Sequence, residues 1–136
     1  MHLPKHIHDF LHEPNICVLA TTGPSDWPHA IPMWYLYRDG KIVITTSRRS
    51  QKYINVERTG KAVVVLDTRE PPYYAVSIRG DAQVGAGLSR EEEYQVAARY
   101  LDGEALKAFM EAYDTGTGDD ATIVITPIRF FEFSSG

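Results

Sequence analysis

The chain has 136 residues, of which 43% are hydrophobic and 24% charged, and this composition excludes a disordered protein. Its length suits a single domain over 1–136. A net charge of −4 argues against broad nucleic-acid binding, which needs a basic surface.

The N-terminal stretch is broken by charge and proline and carries no signal-peptide core. No apolar run approaches the roughly 20 residues that a membrane span needs. The single cysteine, Cys17, excludes an internal disulfide and favours a reducing compartment. We therefore expect a soluble cytoplasmic protein that binds neither nucleic acid nor membrane.

The first predicted elements are a short helix and a strand. Ile7, Phe10 and Leu11 follow the i, i+3, i+4 spacing that places apolar side chains on one face of a helix over 6–12. A strand-like run over 16–22 follows, and the turn residues after it mark its end.

The next two predicted strands form a hairpin. They cover 29–38 and 41–46, with Asp39-Gly40 between them. Asp-Gly between two strand-like runs predicts a type I′ turn, because this turn needs positive φ at both central residues.

Three further strands and two helical segments complete the chain. The strands cover 61–67, 73–84 and 122–133, and the helical segments cover 50–58 and 89–112. Apolar and polar residues alternate along 73–84, which predicts one buried face. Ser89 and Glu92 fit a capping box, and Asp102-Gly103 predicts a break in the second helical segment. Pro127 predicts an edge position or a bulge in the last strand.

This order of elements favours a mainly β protein, a six-stranded antiparallel barrel with peripheral helices. A parallel β–α–β arrangement fits poorly, because a tight hairpin rather than a helix joins the second and third strands.

The strongest candidate site is the run from Thr45 to Lys52, where a strand passes into a helix. It holds four hydroxyls and three cations, and the free N–H groups of a helix N-terminus attract anions. Arginine forks and a lysine charge suit a phosphate. The alternative is a solvated turn in which Ser50 is only an N-cap.

Other motifs favour structural roles. His2/His6 and His8/His12 have the i, i+4 spacing of metal ligands, but no further ligands complete a set, and a solvated helix is favoured. The Gly85-Ala86-Gly87 run lacks the third glycine of a dinucleotide fingerprint and is interpreted as a connector. Cys17 lies mid-strand and is interpreted as a core residue, and no nucleophile motif or acid–base carboxylate pair is found.

Aromatic residues are dense at 34–37, 73–74 and 130–133. Aromatics on both faces of a strand fit a barrel core alone, or a core with a second buried surface such as a dimer interface or a flat-ring pocket. Trp34 and Tyr35 fit either a pocket lining or the core.

Several motifs follow one another in order: Pro28-His29-Ala30-Ile31-Pro32-Met33-Trp34-Tyr35, the Asp39-Gly40 turn, Ile44-Thr45-Thr46, Ser50-x-Lys52-x-x-Asn55, Ile78-x-Gly80-x-Ala82, Arg99-Tyr100-Leu101 and Thr126-Pro127-x-Arg129. Together they resemble the split β-barrel flavin and deazaflavin oxidoreductases, relatives of pyridoxamine 5′-phosphate oxidase. The resemblance covers the chain from about Phe10 to Phe133.

The resemblance implies a homodimer with two equivalent cofactor sites at the subunit interface. It assigns phosphate and ribityl contacts to Arg49, Ser50, Lys52 and Asn55. Next to the chain that links phosphate and ring it places Thr45 and Thr46, and along the ring edge the backbone of His29, Ala30, Ile31 and Pro32. Tyr74 and Arg79 would reach the cofactor of the partner.

The resemblance also implies a hydride-transfer oxidoreductase that uses the deazaflavin F420 or FMN and reduces or oxidises a small planar unsaturated acceptor. Because the cofactor carries the chemistry, no catalytic residue and no metal are expected. The serine–lysine–asparagine motif and the Arg-Tyr-Leu motif look more like the deazaflavin branch. The alternative is a non-catalytic flavin or tetrapyrrole carrier on the same fold.

Overall fold

A computed structural model describes residues 2–113 and 118–135. The α-helices are α1 (Lys5–His12), α2 (Gln51–Thr59), α3 (Arg90–Ala97) and α4 (Gly103–Ala112). The strands are β1 (Cys17–Thr22), β2 (Pro28–Met33), β3 (Leu36–Arg38), β4 (Lys41–Ser47), β5 (Lys61–Asp67), β6 (Tyr74–Ala86) and β7 (Asp120–Ser134).

The strands form one antiparallel sheet in the order β2-β1-β5-β6-β7-β4-β3. The predicted fold class, mainly β with peripheral helices in a split barrel, is confirmed. Among the described residues, no helix is long and apolar enough to cross a membrane.

The strand count differs from the prediction, with seven strands in the sheet where six were predicted. The predicted strand over 29–38 is interrupted at Trp34-Tyr35 and forms β2 and β3. At this interruption the hydroxyl of Tyr100 accepts a hydrogen bond from the backbone N–H of Tyr35 at 3.1 Å. Its single proton is shared between the carbonyls of Tyr35 and Asn15, at 3.2 and 2.9 Å. These bonds replace the ladder bonds that a continuous strand would make.

The core fills one face of the curved sheet. Alternate residues of the strands point into it, including Leu19, Val64 and Ile78, each fully buried. Helix α1 covers one end of this core with Ile7 and Leu11, so its predicted apolar face is confirmed.

Local signals placed several turns correctly. Asp39 and Gly40 have φ of 53° and 71°, as a type I′ hairpin requires. The capping box is present, since the Glu92 N–H donates to Ser89 Oγ at 3.1 Å and Glu92 Oε1 accepts from the Ser89 N–H at 3.0 Å. The predicted break near Asp102 separates α3 from α4.

Strand β6 has the predicted alternation, with Val76, Ile78 and Ala82 buried and the intervening side chains more exposed. Its ladder with β7 shifts register opposite Pro127, so the predicted bulge is present. Gly80 pairs with Pro127, and a Cβ on Gly80 would approach the Thr126 carbonyl oxygen to 2.7 Å. Only glycine allows the two backbones to lie this close.

Candidate functional site

The predicted anion-binding run forms the turn between β4 and α2. Ser50 is the N-cap of α2: its Oγ accepts from the Tyr53 N–H at 3.3 Å and donates to the Ser47 carbonyl at 2.8 Å. Because that single hydroxyl proton is engaged, the 2.7 Å contact between Thr46 and Ser50 has Thr46 Oγ1 as donor. The Ser50 hydroxyl therefore organises the turn from within.

Lys52, one residue into the first turn of α2, differs from the other cations of the turn. It is half-buried, and burial holds the pKa of its ammonium below the ordinary value. No hydrogen-bond or ion-pair partner reaches it from the described residues. The N–H groups of Gln51 and Lys52 have no intrahelical acceptor at this helix start. The turn thus contains both a partly desolvated cation and free backbone donors.

The two arginines of the turn are more exposed and are held by the start of β7. The Arg48 N–H donates to the Asp119 carbonyl at 2.8 Å, and Arg49 Nε lies 3.3 Å from an Asp119 carboxylate oxygen. Arg49 therefore shares its charge with a neighbouring carboxylate, and Lys52 does not.

Asn55 connects α2 to the sheet. It is fully buried, accepts from Gln51 Nε2 at 2.6 Å and donates to Thr21 Oγ1 at 3.0 Å. Thr21 is opposite His29 in the β1–β2 ladder, and directly paired residues lie on the same face of a sheet. The contacts of Asn55 are thus internal, and its predicted contact with a cofactor stays a prediction.

The predicted ring-edge segment, His29 to Pro32, lies in β2 at one end of the sheet. Among the described residues no strand pairs with its outer edge, so backbone N–H and C=O groups there are available. Ala30 and Pro32 are exposed, whereas His29 and Ile31 are half-buried on the face of the core. The Nδ1 atom of His29 is buried and has no hydrogen-bond partner among the described residues.

The remaining predicted residues are not all brought to this turn. Thr45 and Thr46 alternate along β4, so only Thr46 contacts Ser50. Tyr74 points to the α1 end, where its hydroxyl donates to Glu132 at 2.9 Å. Arg79 lies on the opposite face of β6, with its guanidinium 4.8 Å from the centroid of the Phe131 ring.

The predicted structural residues have internal contacts. Cys17 is fully buried, and burial raises the pKa of its thiol to about 12, so its core role is confirmed. His6 contacts Glu132 at 2.7 Å, and His8 contacts the Tyr37 hydroxyl at 3.0 Å. Within residues 2–113 and 118–135, no cluster of three potential metal ligands is present.

Burial assigns Tyr35 to the core, whereas Trp34 is half-buried. Tyr35 is fully buried, and its hydroxyl donates to the Leu11 and Glu13 carbonyls at 2.7 and 3.0 Å. Trp34 stacks on Tyr100 with ring centroids 4.8 Å apart. These residues therefore build the β2–β3 junction.

Thr21 is the residue that sequence reasoning missed. It follows Cys17 and Leu19 at the inward positions of β1, where a polar side chain is out of pattern. That exception to the alternation was the available signal, because a buried hydroxyl needs a hydrogen-bond partner.

Comparisons with known proteins agree with this architecture. The family model for pyridoxamine 5′-phosphate oxidase matches residues 3–132. No curated protein sequence gives a significant match.

Solved structures with similar folds include an F420 reductase, which has a TM-score of 0.77 and 20% identity over 95% of this chain and 98% of that one. A conserved hypothetical protein from Mycobacterium tuberculosis has a TM-score of 0.74 and 25% identity, over 98% and 86% of the two chains. An FAD-binding protein from Mesorhizobium loti has a TM-score of 0.71 and 12% identity, over 99% and 96%. From the family model and the fold, the chain belongs to the pyridoxamine 5′-phosphate oxidase family.

Proposed function

We propose that the protein is an oxidoreductase that transfers a hydride between a flavin-type cofactor, F420 or FMN, and a small planar unsaturated acceptor. The observation that carries this proposal is the turn before α2, where Lys52 is half-buried without a partner among the described residues. Membership in the pyridoxamine 5′-phosphate oxidase family supports it.

The donor set of this turn fits a phosphate group. Burying an ammonium without a counter-ion is unfavourable, and a phosphate oxygen would relieve that cost. The free N–H groups of Gln51 and Lys52 lie at the positive end of the α2 dipole, which favours the same negative charge. In this proposal Lys52 and the two N–H groups bind the phosphate, and the more exposed Arg49 contributes further positive charge.

The other predicted residues position these groups. Asn55 and Thr21 tie α2 to β1, which fixes the distance between the turn and the β2 edge. The orphaned Nδ1 of His29 is a polar atom on that strand with unused hydrogen-bonding capacity. We assign the ring edge to the backbone of 29–32, beside this histidine.

When bound, a flavin or deazaflavin supplies the hydride chemistry, and the protein supplies position, charge and exclusion of water. We favour F420, because the serine–lysine–asparagine and Arg-Tyr-Leu motifs look like the deazaflavin branch. A solved neighbour named as an F420 reductase covers 95% of the chain and supports this preference.

We further propose a homodimer with two equivalent cofactor sites at the subunit interface. Exposed apolar side chains on the face of the sheet that points away from the core support it. Ile128, Phe131 and Phe133 are 52%, 40% and 61% exposed. A cluster of this kind marks an interaction surface more often than a solvated one.

Fluorescence titration of the purified chain with F420 and with FMN, side by side, tests the proposal. Micromolar or tighter binding of one cofactor, followed by turnover of an artificial acceptor, is the expected result. Binding without turnover of any acceptor would favour the carrier alternative. Absence of binding to both would refute the proposal and direct attention to tetrapyrroles.

A further inference from the structure

A pair of arginines stands on the face of the sheet that points away from the core. Arg79 of β6 and Arg129 of β7 are direct partners in the antiparallel ladder, so their side chains leave the same face side by side. Both guanidiniums lie over Phe131, at 4.8 and 4.9 Å from its ring centroid.

The register places two positively charged side chains opposite each other in the ladder, on neighbouring strands. Like charges directly opposite each other destabilise a sheet. Neither arginine has an ion-pair or hydrogen-bond partner within the described part of the chain. The ring of Phe131 orients the guanidiniums and leaves their N–H edges free. A guanidinium fork matches the two oxygens of a carboxylate.

Arg79 also lines a groove of about 510 Å³ on the same face. Most of its floor is apolar, with Ala20, Val63 and Ile128 among the lining residues. Its one acidic lining residue, Asp81, is directly opposite Lys61 in the β5–β6 ladder, so that pair balances in charge. The groove therefore combines an apolar floor with net positive charge at the Arg79 end.

The groove connects the arginines to the strand assigned to the cofactor ring. Ala30, Ala20, Val63 and Arg79 are consecutive partners across β2, β1, β5 and β6. Neighbouring strands lie about 4.8 Å apart, and three such spacings lie between Ala30 and Arg79, so the two residues are roughly 14 Å apart. A flat molecule on Ala20 and Val63 with its anionic end at the arginines would extend toward β2.

We propose that Arg79 and Arg129 form the anion subsite for the acceptor, and that the acceptor is a planar unsaturated carboxylate. The inference rests on the proposed function, because it places the acceptor beside the strand that edges the cofactor. It narrows the substrate class from any small planar acceptor to one that carries a carboxylate at one end of a conjugated body.

The test uses trans-cinnamate as the probe and neutral trans-cinnamamide as its isostere. Both are titrated into the full chain and monitored by calorimetry or by ligand-observed NMR. We expect cinnamate to bind roughly tenfold more tightly than the amide, from charge-assisted hydrogen bonds, and this preference to weaken as salt is raised. The double variant Arg79→Gln/Arg129→Gln should lose the preference. The control Arg69→Gln, which removes an arginine that does not line the groove, should keep it.

Titration of the same variants with F420 and FMN separates this inference from the proposed function. Cofactor binding with no preference for cinnamate, or a preference that survives in the double variant, would overturn the subsite and leave the proposed function standing. A preference for cinnamate without cofactor binding would support the subsite and refute the proposed function. If the double variant instead converts a dimer into a monomer in sedimentation, the arginines serve the contact between copies and the subsite is refuted.

Discussion

The β2–β3 junction and the turn before α2 use their polar groups in opposite ways. At the junction, the Tyr100 hydroxyl accepts from the Tyr35 N–H, and its proton is shared between the Tyr35 and Asn15 carbonyls at 3.2 and 2.9 Å. At the turn, Lys52 has no partner among the described residues. The hydrogen-bonded groups of the junction stabilise the fold, whereas the half-buried ammonium of Lys52 is available to a ligand.

The largest expected effect is on stability, at the junction. Tyr100→Ala removes the stacking on Trp34 and leaves the Tyr35 backbone groups without their partner. We expect a loss of about 3–4 kcal/mol in the free energy of unfolding, measured by urea denaturation. The milder Tyr100→Phe keeps the ring and should lose about 1–2 kcal/mol. Equal effects of the two variants would show that the hydroxyl carries the stabilisation and that the stacking on Trp34 adds nothing.

The second effect is on binding, at the turn. Lys52→Ala should weaken cofactor binding by about 1.5–3 kcal/mol, because a charge-assisted hydrogen bond to phosphate is lost. Fluorescence titration measures the affinity, and Lys107→Ala, an exposed lysine on α4, is the matched control. The unfolding free energy of Lys52→Ala should not fall. A variant that is less stable but binds normally would place Lys52 with the structural groups.

The third effect is the pH dependence of the same affinity. Burial lowers the pKa of Lys52 from its ordinary value of 10.5. As the pH rises through the lowered pKa, the ammonium loses its proton. Phosphate binding should therefore weaken with rising pH, and the decline should begin before the pH reaches 10.5. Titrations at increasing alkaline pH should show this decline in the wild-type protein and a smaller one in Lys52→Ala. Parallel profiles would exclude Lys52 as the titrating group.

The smallest expected effect is on stability, at the exposed hydrogen-bond network around Glu132. His6 and Tyr74 both contact Glu132 Oε2, and they hold the pKa of Glu132 below its ordinary value of 4.5. A carboxylate with a lowered pKa contributes stability above its unfolded-state pKa, and that contribution is lost as pH falls through the folded-state pKa. Glu132→Gln should cost about 0.5 kcal/mol near neutral pH and nothing well below pH 4.5. A loss that persists in acid would assign the effect to packing of Tyr74.

Local rules explain the parts of the fold that the sequence predicted. The Asp39-Gly40 hairpin, the Ser50 N-cap and the Ser89–Glu92 capping box each depend on residues within a few positions of one another. The parts that were not predicted depend on distant residues. The break at Tyr35 needs a hydroxyl 65 positions away, and the Asn55–Thr21 bond joins residues 34 apart.

The candidate site likewise has features that the sequence predicted and features that only the structure shows. The composition of the Thr45–Lys52 run indicated a phosphate turn, but only the structure separates Lys52, which has no described partner, from Arg49 beside Asp119. The alternation of β6 already placed Tyr74 and Arg79 on opposite faces. The cross-strand partnership of Arg79 with Arg129 required the register, which the bulge shifts.

The bulge in β7 also determines which residues of each half of the strand point toward the core. Before it, odd-numbered residues such as Ile123 and Ile125 point into the core; after it, the even-numbered Phe130 and Glu132 share the face of Ile78 and Val76. Ile128, which the register skips between Pro127 and Arg129, reverses the parity of the strand. Deleting it would turn Arg129 and Phe131 inward and Glu132 outward. Because of this one extra residue, odd-numbered side chains in the first half of β7 and even-numbered side chains in the second half lie on the same face of the sheet.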